Sequence, residues 1–197
     1  MHPNIFLIGM PGAGKTTVGK LLAKRTGATF MDVDREIVIR TGVTITSIFD
    51  IEGETAFRAR ETALIAELVT NTNMVLATGG GAILSPENRV ILRANGHVVY
   101  LKARLDELWE RTRRDTNRPL LAHANPQAVL AQLFAVREPL YKQTAHLSVE
   151  TGRQSVGRLA DYIVNELQPN SPSRDVSKSP LVSNNTAISA GDRKYSQ

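Results

Sequence analysis

An α/β fold around a parallel β-sheet is the architecture this sequence predicts, and three observations carry the prediction. Short β-rich apolar runs alternate with helical patterns through most of the chain. Each run leads into a helix, which is the order that parallel βαβ units require. The chain has 197 residues, 42% of them hydrophobic, enough for one well-buried domain and short of two.

The first unit pairs "NIFLIG" (4–9) with "KTTVGKLLAKRTG" (15–27), where Val18, Leu21 and Leu22 share a helical face. The second pairs "ATFMDVD" (28–34) with a helical segment, and the third pairs "NMVLATGGG" (73–81) with "SPENRVILRANG" (85–96). "HVVYL" (97–101) followed by "DELWERTRR" (106–114) makes the fourth. Ser85 before Pro86, and Asn125 before Pro126, have the form of an N-cap with proline at the first helical position. Two regions interrupt the alternation. Residues 35–70 read as consecutive helices broken at Gly53, an insertion packed beside the sheet; residues 112–124 are polar and arginine-rich, either a lid over a ligand or an ordinary surface loop. From Gln168 to Gln197 the chain is rich in Ser, Asn and Pro with little periodicity, which predicts a disordered tail behind a single domain at 1–167.

Composition narrows the function. Without cysteine there is neither a disulfide framework nor a thiolate metal site, and His2, His97, His123 and His146 lack ligand-like spacing. No apolar run approaches the roughly 20 residues of a membrane span, so a cytoplasmic protein with no membrane partner is expected. The net charge of +5 could suggest nucleic acid, but the basic residues are not gathered into a run interleaved with aromatics, and anionic small molecules explain them equally well, so no nucleic-acid partner is expected.

Gly9, Gly14, Lys15 and Thr16 satisfy GxxxxGK[ST] between a predicted strand and a predicted helix, the context that gives the motif its meaning. Backbone N–H groups of such a loop wrap phosphate oxygens, the helix N-terminus adds partial positive charge, Lys15 neutralises β and γ oxygens, and Thr16 offers a hydroxyl to Mg²⁺. Gly12, Ala13, Gly14, Lys15, Thr16 and Thr17 are therefore candidate contacts for ATP. Asp32 and Asp34 close the second strand, where ligands gather in open parallel sheets. At i, i+2 on an extended strand they point the same way, one toward a metal's water shell and one toward a substrate hydroxyl; alternatively Asp34 only caps the next helix. Gly79, Gly80 and Gly81 after the third strand permit close approach of a ligand to backbone, or simply make a tight turn. Arg58 and Glu61, three apart on a helix, are either a surface ion pair or a guanidinium fork held for a substrate carboxylate, and Arg137 poses the same choice.

Taken together, "GMPGAGKTT", "DVD", "ITSIFDIEGETAFRARE", "TGGG", "NRPLL" and "VREPLY", in that order over roughly residues 4–165, resemble the shikimate kinase family, small P-loop enzymes of the nucleoside monophosphate kinase-like type. The resemblance implies a three-layer sandwich with a five-stranded parallel sheet in the order 2-3-1-4-5, a helical substrate-binding segment at about 33–61 and a lid at about 112–124. It implies transfer of the γ-phosphoryl of ATP to the 3-hydroxyl of shikimate, with Mg²⁺, by a monomer on the route to chorismate and the aromatic amino acids. On that pattern Asp34 contacts the ring hydroxyls, Arg58 and Arg137 bind the carboxylate, and Gly79, Gly80 and Gly81 meet the substrate through backbone. Arg118 is the lid arginine reaching the phosphates, with Lys15 and Asp34 the other catalytic residues. Arg111 stacks on adenine, which Arg153 and Gln154 border, and Asp32 joins Thr16 near the metal.

Phosphoryl transfer needs in-line positioning and charge neutralisation more than covalent help, and closure that excludes water, so this assignment agrees with the chemistry of the residues. Its rivals are another small-molecule P-loop kinase, such as a gluconate kinase, and a nucleotide-dependent binding module. The first has less use for arginines at both 58 and 137. A guanine-nucleotide switch would show an NKxD-type base-reading motif, which this sequence lacks.

Overall fold

The computed structural model describes residues 3–113, 125–152 and 154–167. Arg118, Arg153, nearly all of the expected lid and the expected tail lie outside the described residues.

Five strands form one sheet: β1 (Ile5–Ile8), β2 (Thr29–Asp32), β3 (Met74–Ala77), β4 (His97–Lys102) and β5 (Leu147–Glu150). Every pairing is parallel and the order is β2-β3-β1-β4-β5. All residues of β1 and β3 are buried, which is why both read as unbroken apolar runs. β2 and β5, at the edges, are partly exposed. β2 and β3 lie on one side of β1, and β4 and β5 on the other. Such a reversal leaves a crevice at the carboxyl ends of the strands, beside β1.

Helix α1 (Lys15–Thr26) leaves the loop after β1 and ends on Gly27 in the left-handed conformation. Its buried residues Val18, Gly19, Leu22 and Ala23 face the core, and at Gly19 any Cβ would run into the Phe30 ring of β2. α2 (Val33–Thr41) starts one residue after β2. Asp32, not Asp34, is its cap, its side chain accepting from the Arg35 N–H. This corrects the expectation that Asp34 lies on an extended strand: it sits in the first turn of a helix.

α3 (Ile45–Leu68) is broken at Gly53 (φ 83°, ψ 169°), a conformation essentially reserved for glycine. The insertion thus has the expected form, helices α2 and α3 with a break at Gly53. α4 (Pro86–Asn95), α5 (Leu105–Thr112), α6 (Pro126–Thr144) and α7 (Val156–Glu166) complete the α-helices among the described residues, and Ser85 and Asn125 cap α4 and α6 as expected.

Candidate active site

The loop between β1 and α1 bends through Gly12 (φ 81°) and Gly14 (φ 91°), both in the left-handed region that side chains disfavour. A Cβ at Gly12 would also lie 2.7 Å from Thr112 Cγ2, so α5 closes the outer side of the loop. Lys15 Nζ donates to the carbonyls of Gly9 (2.8 Å) and Met10 (3.0 Å), holding the ammonium across the loop. Thr16 Oγ1 donates to Asp32 Oδ2 at 2.7 Å, tying the start of α1 to the end of β2. With its other oxygen capping α2, Asp32 is fixed from both sides.

A cavity of about 630 Å³ opens over this loop, lined by Gly12 through Thr17, with Asp32, Asp34 and Gly80 on one side and Arg111 and Gln154 on another. Arg111 reaches back to the Gly12 carbonyl at 3.3 Å and is steadied by Glu107 at 3.2 Å. Asp34 lines the cavity from the first turn of α2, so a helix and not an extended strand brings it there.

Asp34 and Gly80 connect this cavity to a charged cluster. Glu61 has no exposed surface; its Oε2 accepts from Arg58 Nη1 at 2.7 Å, while its Oε1 has no hydrogen-bond partner among the described residues. Burial pushes the Glu61 carboxyl up to about 7 even though Arg58 pulls it down. Burial also works against the charge on Arg58, but Glu61 and Glu54 outweigh it and hold the guanidinium above its ordinary value. The pair is therefore not the exposed surface bridge that spacing alone allowed.

The three glycines bring the cluster together. A Cβ at Gly79 would lie 2.8 Å from Asp34 Oδ1 and collide with Glu61 Oε1, and one at Gly81 would run into the Arg58 guanidinium. The Gly80 carbonyl accepts from Tyr141 Oη at 2.5 Å and from Arg137 Nη1 at 3.4 Å. Arg137 is 2% exposed and its Nε has no hydrogen-bond partner among the described residues; burial lowers its tendency to hold a proton. "TGGG" is thus a place where side chains of α2, α3 and α6 press onto backbone.

Tyr141 and Glu54 were missed from sequence. Each stands four residues from an arginine on its own helix, Tyr141 after Arg137 and Glu54 before Arg58, and that spacing was the available signal. Tyr141→Phe, which removes only the oxygen bonded to Gly80, is expected to lower stability by about 1–2 kcal/mol, read as a shifted urea midpoint at unchanged slope.

The structure brings together Gly12, Ala13, Gly14, Lys15, Thr16, Thr17, Asp32, Asp34, Gly80, Arg111 and Gln154 around one cavity, with Arg58, Gly79, Gly81 and Arg137 joined to it through Asp34 and Gly80. A phosphate loop at the carboxyl edge of β1 in a parallel 2-3-1-4-5 sheet defines a P-loop phosphotransferase of the nucleoside monophosphate kinase-like type. The family model for shikimate kinase matches residues 11–168. Shikimate kinase of Nitrosospira multiformis is 56% identical over 83% of this chain and 84% of its own, and that of Thiobacillus denitrificans 55% over 83% and 90%. The solved structure of shikimate kinase from Acinetobacter baumannii in complex with shikimate superposes with a TM-score of 0.83 at 47% identity, covering 85% of this chain and 93% of that one. This chain belongs to the shikimate kinase family.

Proposed function

We propose that this chain transfers the γ-phosphoryl group of ATP to the 3-hydroxyl of shikimate, giving shikimate 3-phosphate and ADP on the route to chorismate and the aromatic amino acids. The observation that carries the reading is the convergence of Arg58 and Arg137 on Gly79–Gly81, behind Asp34 and next to the phosphate loop. Two guanidinium groups on one side and a lysine-bearing loop on the other suit an acceptor with a carboxylate at one end and a hydroxyl at the other.

In this reading the loop amides and Lys15 bind the β and γ phosphates and stabilise charge that grows on the transferring group. Asp34 accepts a hydrogen bond from the attacking hydroxyl and orients it; a loose transition state asks for little prior proton removal, so orientation is its larger contribution. Arg58 and Arg137 grip the substrate carboxylate, Gly79–Gly81 contact the ring through backbone, and Arg111 and Gln154 flank the adenine. Arg118, outside the described residues, belongs to the proposal as the arginine that reaches the phosphates, as do a substrate-binding segment at 33–61 and a domain ending at 167.

Thr16 and Asp32 would hold Mg²⁺. Their 2.7 Å pair, with no cluster of three His, Asp or Glu among the described residues, is a donor set that suits an ion completed by water and phosphate oxygens. Bound there, Mg²⁺ supplies charge neutralisation to the phosphates. No helix among the described residues is long and apolar enough to cross a membrane, and a cytoplasmic monomer is part of the proposal.

A coupled ADP-release assay with Mg·ATP is the test. ADP release is expected to depend on shikimate and not on gluconate; the opposite preference would overturn the assignment.

A further inference from the structure

The Arg58 guanidinium is bonded to carboxylates on two sides. Glu61 accepts one Nη1 hydrogen at 2.7 Å from the buried side. Glu54 Oε1 accepts from Nε at 3.2 Å and from Nη2 at 3.0 Å, along an edge that a free carboxylate grips in bidentate pairing. The negative charge of Glu54 also acts on Arg137, whose Nε has no hydrogen-bond partner among the described residues. One carboxylate of the protein thus stands in the field of both arginines assigned above to the substrate's carboxylate.

The two glutamates differ in their freedom to leave. Glu61 is sealed in the core, whereas the Glu54 side chain is 46% exposed. Gly53 interrupts α3 immediately before Glu54, so Glu54 opens the helix that resumes there. A carboxylate in a first turn is stabilised by the helix's partial positive charge, which gives Glu54 a favourable position after it releases Arg58.

We propose that Glu54 is a built-in stand-in for the acceptor's carboxylate: it occupies the outer edge of Arg58 in the free enzyme and is displaced when the acceptor binds. The arrangement has two consequences. It offsets the mutual repulsion of two guanidinium groups that meet at the neighbouring residues Gly80 and Gly81. It also sets a threshold for entry, because a ligand must recover the free energy of displacing Glu54. A bare small carboxylate does so only at high concentration, while an acceptor that also engages Asp34 and the glycine backbone does so readily. Selectivity then comes from an internal competitor as well as from contacts to the correct ligand.

This inference rests on the shikimate reading, and the wild-type control separates the two. Absence of shikimate-dependent ADP release from the wild type would remove both. With that activity present, E54Q and E54A, both checked for folding by thermal melt, are compared with wild type by KM and by calorimetric Kd for shikimate. Both constants are expected to fall about three- to ten-fold, and acetate is expected to compete with shikimate at correspondingly lower concentration in the variants. A glutamate that merely positioned Arg58 would raise KM on removal. Unchanged or higher KM and Kd in the folded variants, or equal acetate inhibition in all three proteins, would overturn the inference and leave the kinase reading intact.

Discussion

Lys15→Ala is expected to lower turnover by about 10³-fold or more at saturating ATP and shikimate, in the ADP-release assay that measures the wild type. The ammonium lies over the concave side of the loop, held by the Gly9 and Met10 carbonyls at 2.8 and 3.0 Å. A positive charge fixed there before the substrate arrives does little reorganisation during the reaction, and its attraction grows as negative charge builds on the transferring oxygens. Such an interaction is stronger in the transition state than in the ground state, so its loss appears in kcat more than in KM. A thousand-fold loss corresponds to about 4 kcal/mol, within what one preorganised cation in a partly enclosed site supplies. Lys15→Arg should rescue little, because a planar fork cannot replace a compact point charge at the same carbonyls. Turnover within ten-fold of wild type in Lys15→Ala would count against the phosphate loop as the catalytic centre.

The centre of the fold was legible in the sequence because its physics is local. β1 and β3 are buried on both faces, so their apolar runs are continuous, and the glycines, Pro86 and Pro126 punctuate the chain where the helices begin. β5 did not emerge from the pattern. Only Val149 of its four residues is buried, and an edge strand this short carries too little alternation to register. The strand order came from family resemblance, since no local signal encodes which strands become neighbours.

At the site, the phosphate loop was readable from a single motif, whereas the charged cluster was not. Spacing allowed Arg58 and Glu61 to be a solvated pair, and what decides otherwise is non-local. Gly79 and Gly81, far along the chain, lack the side chains that would push Glu61 and Arg58 away. Arg137 illustrates the same limit, since arginine is rarely buried and nothing near it in sequence announces 2% exposure. Asp34 shows a compensating error. The chain turns helical at Val33 because Asp32 caps it, and the first turn of α2 still delivers Asp34 to the cavity.

Arg58→Ala is expected to have two separable effects: a rise in shikimate KM of about 10²-fold, and a loss of stability of about 3 kcal/mol at pH 8 that shrinks toward pH 6. The first follows from removing one of two guanidinium groups proposed to grip the carboxylate. The second follows from Glu61, fully buried with its carboxyl pushed up to about 7 from an ordinary 4.5. Between those values the folded chain keeps a proton that the unfolded chain has released. The contribution of Glu61 to stability therefore falls as pH rises through that window and levels off above about 7. Arg58 limits this cost by charge and by its 2.7 Å hydrogen bond, both of which pull the Glu61 carboxyl down. Without Arg58 the carboxyl titrates still higher, so the window extends upward and the variant is weakest at pH 8, where wild-type Glu61 is ionised and paired. At pH 6 Glu61 is mostly protonated in both proteins and the difference narrows. Adding Glu61→Gln to Arg58→Ala should restore most of the stability at pH 8, because a neutral amide replaces an uncompensated charge, yet KM should stay high. Urea unfolding at pH 6 and pH 8, beside steady-state kinetics of the single and double variants, distinguishes the two effects. A stability gap of equal size at both pH values would remove Glu61 as its source, and a KM within two-fold of wild type would remove Arg58 from the acceptor's carboxylate.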